Sequence, residues 1–301
     1  MRSPTIAACV AVLVLAGCAS LGSSSNDSVV VRQMAVQGTK LTYIEQGTGP
    51  TILFVHGAGG DWRSWEGFMP IISSRFRFVS LSRRYHFPNS WDDDASHYSF
   101  DQDVEDLASF IKAMNVGKVH LVGNSYGGRL VGYVALKYPD LLHSVVLGEP
   151  SLVAPTTPEG KAAMARLAKD FGEVRAAATS GDDKKASILL VNAVLDDSEA
   201  FNKLSSERQQ KWLQNAKTMK PLFTGPPPAP VTCEKLKAIK LPVLVVRGQN
   251  TRDSYTHGHE ALLLCLPPTA KSMIVPGASH AWPADNPATA ATGILEFLNK
   301  Q

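Results

Sequence analysis

Between residues 51 and 277, short apolar runs rich in β-branched residues alternate with helical patterns, and this alternation constrains the fold more than any other feature of the chain. The runs are "TILFVHG" (51–57), "FRFVSLS" (76–82), "KVHLVGNS" (118–125), "LHSVVLGE" (142–149), "LPVLVVRG" (241–248) and "KSMIVPG" (271–277). Each ends in glycine, histidine or a polar residue, as buried strands do when they reach the rim of a sheet. Strands separated by helices pair in parallel, so the expected fold class is α/β with a mostly parallel central sheet and helices on both faces. Two earlier segments, "SVVVRQMAVQ" and "TKLTYIEQG", predict an antiparallel lead-in hairpin turning at Gly38. The helical pattern is clearest in "SFDQDVEDLASFIKAM" (99–114), which opens on a Ser/Asp cap and puts Val104, Leu107, Phe110, Ile111 and Met114 on one face.

Residues 151–230 break the alternation. They hold helical patterns, such as 159–178 with Ala163, Leu167, Phe171 and Val174 in register, but no strand pattern, and they close with the stiff connector "FTGPPPAP". This predicts a helical lid inserted after the strand ending near Glu149, with the core formed by 29–150 and 231–301. A formal net charge of +3 with both signs spread along the chain gives no basic block for nucleic acid. The first residues, "MRSPTIAACVAVLVLAGCAS", carry one arginine and an apolar run too short to span a bilayer, which reads as a secretory signal. Leu15-Ala16-Gly17-Cys18 resembles the lipobox of bacterial lipoproteins. That resemblance implies a signal peptide over 1–17, lipidation of Cys18, a flexible tether over 18–28 and anchoring at a membrane surface. It also implies a place in the cell envelope, at the outer membrane of a Gram-negative host because Ala19 follows the cysteine. Of four cysteines, Cys9 and Cys18 fall in the leader. Cys233 and Cys265 remain, either as a disulfide in an oxidising compartment or as two unrelated small apolar residues.

The chemistry concentrates at three strand ends. "VGNSYGGR" (122–129) follows a strand and precedes a helical pattern, the context of a G-x-S-x-G nucleophile elbow, with Gly123 and Gly127 allowing a sharp turn and Ser125 exposed upon it. "LFVHGAGGDW" (53–62) supplies a glycine-rich turn whose amide at Ala58, or alternatively Gly59, pairs with the amide of Tyr126 as an oxyanion hole. "VPGASHAWPADNP" (275–287) puts His280 in a loop after the last strand, placed to act as base and then acid for Ser125. Of the other histidines, His56 has a structural place beside the oxyanion loop, and His86, His97, His120 and His143 read as surface or packing residues. His257 and His259 alone make a weak metal site, lacking a third ligand, and no metal is expected.

These residues, in this order, resemble the α/β-hydrolase superfamily over about residues 29–301, and the resemblance implies that fold and a Ser–acid–His mechanism without a cofactor. Most members carry the acid three residues past the glycine of "LPVLVVRG"; here Thr251 stands there, and Asp253 comes two residues late. A minority carries it as a Glu-Pro step after the strand that follows the nucleophile helix, which Glu149-Pro150 matches. Glu149 is therefore the expected acid, with Asp253 as the alternative. Arg83 and Arg84 stand on the same rim, either binding an acidic substrate group or pairing with Asp92, Asp93 and Asp94. Trp62, Trp65 and Trp91 read as core or lid packing before pocket lining. The expected activity is hydrolysis of a carboxylic ester or related acyl bond on a small-molecule substrate. Hydrolysis of an activated C–C bond with the same residues, and a non-catalytic binding module of this fold, are the alternatives.

Overall fold

A computed structural model describes residues 29–91, 93–96 and 98–300. The leader, Cys18 and the tether lie outside the described residues, as do Asp92 and His97. Eight strands form one sheet: β1 (Val31–Val36), β2 (Thr39–Gln46), β3 (Thr51–Val55), β4 (Arg77–Leu81), β5 (Val119–Asn124), β6 (Leu142–Gly148), β7 (Val243–Gly248) and β8 (Lys271–Val275). Their order is β1-β2-β4-β3-β5-β6-β7-β8. Strand β2 runs antiparallel to both neighbours, while the pairings from β4 to β8 are all parallel. The chain turns from β1 to β2 through Gln37 and Gly38, both at positive φ (43° and 76°), the pairing of a two-residue hairpin that follows strand twist.

Strands β3 and β5 are buried along their whole length, which is why they read as continuous apolar runs rather than alternating ones. One face of the sheet packs Leu53, Val55, Leu121 and Val145 against the helices Phe100–Met114 and Tyr126–Lys137. The other packs Ile52, Phe54, Val122 and Val246 against Trp65, Phe68, Trp282 and the helix Pro287–Leu298. Trp65 thus belongs to the core at 1% exposure.

Between β6 and β7, residues 151–230 form helices and no strand among the described residues; the long ones are Pro158–Thr179 and Asp183–Leu195. Leu167, Val174, Ala178, Leu190, Val194 and Met219 give this insertion its own small core. A polar hub fastens it to the segments that follow β3 and β4. Asn215, 1% exposed, donates to Asp61 Oδ2 at 2.8 Å and accepts from the Phe87 amide at 2.8 Å. Cys233 and Cys265 are joined as a disulfide across a sequence separation of 32, resolving the two readings left open above. No helix among the described residues is long and apolar enough to cross a membrane.

Candidate active site

Parallel strands deliver their carboxyl ends to one rim, where open α/β sheets bind ligands. Strand β5 ends at Asn124, and Ser125 follows with φ 56° and ψ −122° before the helix Tyr126–Lys137 begins. Its amide donates to Gly148 O at 2.7 Å, so β6 holds the strained residue in place. Neither elbow glycine has positive φ; the turn at positive φ falls on Ser125 itself. The glycines are required by close approach instead: a Cβ on Gly123 would meet Gly127 O at 2.4 Å, and one on Gly127 would meet Val55 O at 2.3 Å.

Glu149 leaves the end of β6 at φ 40° and is 2% exposed. Its Oε1 accepts from the Gly248 amide at 2.8 Å, and its Oε2 accepts from Thr251 Oγ1 at 2.9 Å and from His280 Nδ1. Three donors satisfy a buried carboxylate and offset its desolvation. With its proton on Nδ1, directed at Glu149, His280 has a bare Nε2, which is buried and meets no protein partner. The Tyr255 ring lies flat on the imidazole at 4.0 Å and 16°, and Asn124 Nδ2 donates to His280 O at 3.1 Å. Burial, and then the charge of Glu149, push the Tyr255 hydroxyl far above its ordinary range, so it stays protonated. Asp253 is elsewhere: it opens the helix Asp253–Cys265, its side chain is 75% exposed and it faces Arg166 at 3.3 Å. Thr251, three residues past Gly248, touches Glu149 instead.

The loop after β3 lies against Ser125, since a Cβ on Gly57 would sit 3.3 Å from the serine Cβ. The Gly57 carbonyl accepts from His56 Nδ1 at 2.8 Å, Arg83 Nη2 at 3.3 Å and the Gly60 amide at 3.4 Å. The His56 tautomer follows from its other nitrogen, Nε2, which accepts from the Arg83 amide at 3.0 Å. A trans peptide sets N–H opposite C=O, so these bonds fix the direction of the Ala58 amide. The Tyr126 amide is the first of its helix and has no intrahelical acceptor. Gly59, at φ 66°, is covered by Trp212 of the insertion.

Arg83 and Arg84 pair with the helix Phe100–Met114 and not with Asp93 or Asp94. Arg83 binds Asp103 at 2.5 Å and Arg84 binds Asp106 at 2.7 Å. Asp103 also accepts from Tyr98 at 2.6 Å and Tyr126 at 3.1 Å, so this buried cluster braces the residue after Ser125. Burial and the Arg83 charge hold His56 and His86 well below the usual imidazole range, so both stay neutral. His120 bonds Ser144 and His259 bonds Ser272, while His257 faces Glu260 at 3.4 Å. Among the described residues no three His, Cys, Asp or Glu side chains group as metal ligands. The Trp91 indole donates to Tyr85 O at 2.7 Å, and Trp62 packs beside the second core.

Ser125, Ala58, Gly59, Tyr126 and His280 all line one cavity of about 970 Å³, roofed by Phe171, Leu190, Val194, Trp212 and Leu222 of the insertion. No hydrogen bond joins Ser125 Oγ to His280 Nε2, a contact that in serine enzymes tightens with substrate bound. Thr251, Asn124 and Tyr255 were not legible as site residues, because each acts through a contact made only in the folded chain.

The chain belongs to the α/β hydrolase family, whose model matches residues 52–292. It is 32% identical over 122 residues to a 2-(acetamidomethylene)succinate hydrolase of Mesorhizobium japonicum, covering 40% of this chain and 43% of that one. It is 30% identical over 138 residues to a 2-hydroxy-6-oxo-6-(2'-aminophenyl)hexa-2,4-dienoic acid hydrolase of Metapseudomonas resinovorans, covering 44% and 47%. The matches thus span less than half the length of these relatives. Among solved structures, a carboxylesterase from Bacillus subtilis aligns with a TM-score of 0.73 at 18% identity, covering 91% of this chain and 93% of that one. A serine hydrolase of carbazole degradation aligns at 0.70 and 21%, covering 91% and 100%. At such identities the likeness is one of fold.

Proposed function

We propose that this hydrolase cleaves carboxylic esters or related acyl bonds through a covalent acyl-enzyme on Ser125, with His280 and Glu149 completing the triad. The observation that carries the reading is His280 itself: Nδ1 engaged by a buried carboxylate, Nε2 bare, in the cavity that Ser125 lines. Ser125 Oγ attacks the carbonyl carbon as its proton passes to Nε2. The Ala58 and Tyr126 amides receive the charge that develops on the carbonyl oxygen. Collapse expels the alkoxide, which takes the proton from Nε2. Water then gives a proton to Nε2 and adds to the acyl-enzyme, and Ser125 leaves with that proton as the carboxylic acid is released. Glu149 holds the tautomer and stabilises the imidazolium in both halves. The insertion acts as a lid that shapes the acyl pocket.

A second reading, hydrolysis of an activated C–C bond, uses the same residues and is favoured by the dienoic acid hydrolase among the relatives. The protein is further proposed to be exported and held at a membrane surface through lipidated Cys18, on the strength of the four lipobox residues. Incorporation of labelled fatty acid that disappears in Cys18→Ser checks the anchor; label retained in that variant refutes it. The catalytic reading is tested by a fluorophosphonate probe and by turnover of a short p-nitrophenyl ester. Capture at Ser125, lost in Ser125→Ala, together with ester turnover is expected. Capture without turnover on any acyl length favours the C–C reading, and no capture by folded protein leaves a binding module.

A further inference from the structure

Five cationic side chains line the cavity: Arg63, Arg129, Arg175, Arg208 and Lys211. Arg63 is paired with Asp61 at 2.6 Å, and Lys211 with Glu66 and Glu207 at 2.9 Å. No ion pair within 4.0 Å forms at Arg129, Arg175 or Arg208 among the described residues. Arg129 differs from the other two in having a buried side-chain nitrogen, Nε, that meets no partner. It also sits one helical turn after the proposed nucleophile. The Arg129 amide donates to Ser125 O at 2.9 Å, which places Arg129 in the first turn of the helix Tyr126–Lys137, and both residues line the cavity.

No carboxylate pairs with this guanidinium among the described residues. The Phe100 ring centroid is 5.4 Å from its carbon, and the Tyr133 hydroxyl, which gives its own proton to Ala229 O, offers its oxygen to the guanidinium. Burial raises the Tyr133 hydroxyl, and Asp101 adds to the rise while making no ion pair with Arg129. A partly buried guanidinium that no carboxylate neutralises takes a carboxylate in preference to any neutral group, because its planar fork matches the two oxygens. We infer that Arg129 is the anchor for a substrate carboxylate, so that the preferred substrate is an ester of a short dicarboxylic acid with its second carboxylate free. The bond from the Arg129 amide to Ser125 O at 2.9 Å holds the two backbones together, so an anchored carboxylate lies a few carbons from the scissile carbonyl. This inference rests on the acyl-hydrolase reading and adds its substrate class.

The test compares two near-isosteric esters, p-nitrophenyl hemiglutarate and p-nitrophenyl 5-methylhexanoate, and reads the ratio of their kcat/KM values. A ratio of about ten or more is expected in the wild type, from the strength of a charge-assisted hydrogen bond. Arg129→Gln is expected to cut the ratio about tenfold, chiefly through the KM of the hemiglutarate, and Arg129→Lys to fall between because charge remains while the fork is lost. Arg175→Gln is expected to keep the ratio. A wild-type ratio of one or less, an unchanged ratio in folded Arg129→Gln, or an equal fall in Arg175→Gln overturns the inference. Calorimetric titration with glutarate separates it from the reading beneath it. Glutarate binding that is lost in Arg129→Gln upholds the anchor even where no ester is turned over, and absence of binding to the wild type overturns it.

Discussion

At the scale of single residues, Glu149 shows how the cost of a buried charge is offset. A carboxylate at 2% exposure would be destabilising alone, yet it receives donors from Gly248, Thr251 and His280. Glu149→Gln keeps the shape but can present an N–H to Nδ1, favouring the wrong imidazole tautomer. A fall in kcat of about 10⁴ is expected, with Asp253→Asn close to wild type, as checked by ester kinetics on folded variants. Thr251→Val removes one donor from the carboxylate and is expected to lower kcat by about tenfold, the value of a hydrogen bond to a charged group; an unchanged kcat would make Thr251 a spectator. The contact of Glu149 with His280 was legible because a Glu-Pro step at a strand end is a local signature. Thr251 was legible only as the absence of an acid, since its contact with Glu149 spans a sequence separation of 102. The elbow glycines were placed correctly, but the reason differs: steric closeness to Gly127 and Val55 decides them, and backbone sign does not.

At the scale of elements, the strand runs were readable because both faces of β3 and β5 are buried, so composition and length alone mark them. What joins the elements was much less readable. Asp103 and Asp106 look like the polar face of an amphipathic helix in sequence, whereas in the fold they are buried under Arg83 and Arg84. That pairing depends on which helix crosses the end of β4, and the nearby run of aspartates was the only partner visible in sequence. Asn215 gave no signal at all, being one polar residue in a helical stretch. Asn215→Ala strips the Phe87 amide of its acceptor and Asp61 of a donor, so a loss of about 1–3 kcal/mol is expected from urea midpoints; a neutral result would mean that the insertion is held by its apolar contacts alone. The Cys233–Cys265 bond ties the start of the return segment to the helix Asp253–Cys265 across 32 residues. Loop-closure entropy gives it about 3–4 kcal/mol. Reduction is therefore expected to lower the melting temperature, and Cys233→Ser with Cys265→Ser should reproduce the reduced value.

At the scale of the whole molecule, four buried histidines make stability a function of pH. Burial and the Arg83 charge hold His56 and His86 well below their ordinary value, and burial takes His120 and His259 down to about 4, helped by His143 and Arg247 respectively. In the unfolded chain each imidazole titrates near pH 6.5. Below that value the unfolded state binds protons that the folded state refuses, so stability rises with pH across this window. It is fully present above about 6.5 and is lost as pH falls toward 4. The carboxylates held low by partners, such as Glu105 beside Lys137 and Asp197 beside Lys203, begin to cost stability only at more acid pH, because their unfolded values lie near 4. Asp106, raised by burial, opposes the trend by taking up a proton more readily when folded. Unfolding near pH 5.5 should therefore draw in several protons, measurable as the slope of the melting temperature against pH. His120 is the cleanest probe, since it touches Ser144 at 2.8 Å far from the cavity and acts on no reacting group. His120→Gln should reduce the proton uptake by about one and flatten the slope between pH 6.5 and 5. A melting temperature that stays level over that interval would show that these imidazoles charge in the folded state, and that the packing around them opens to admit water.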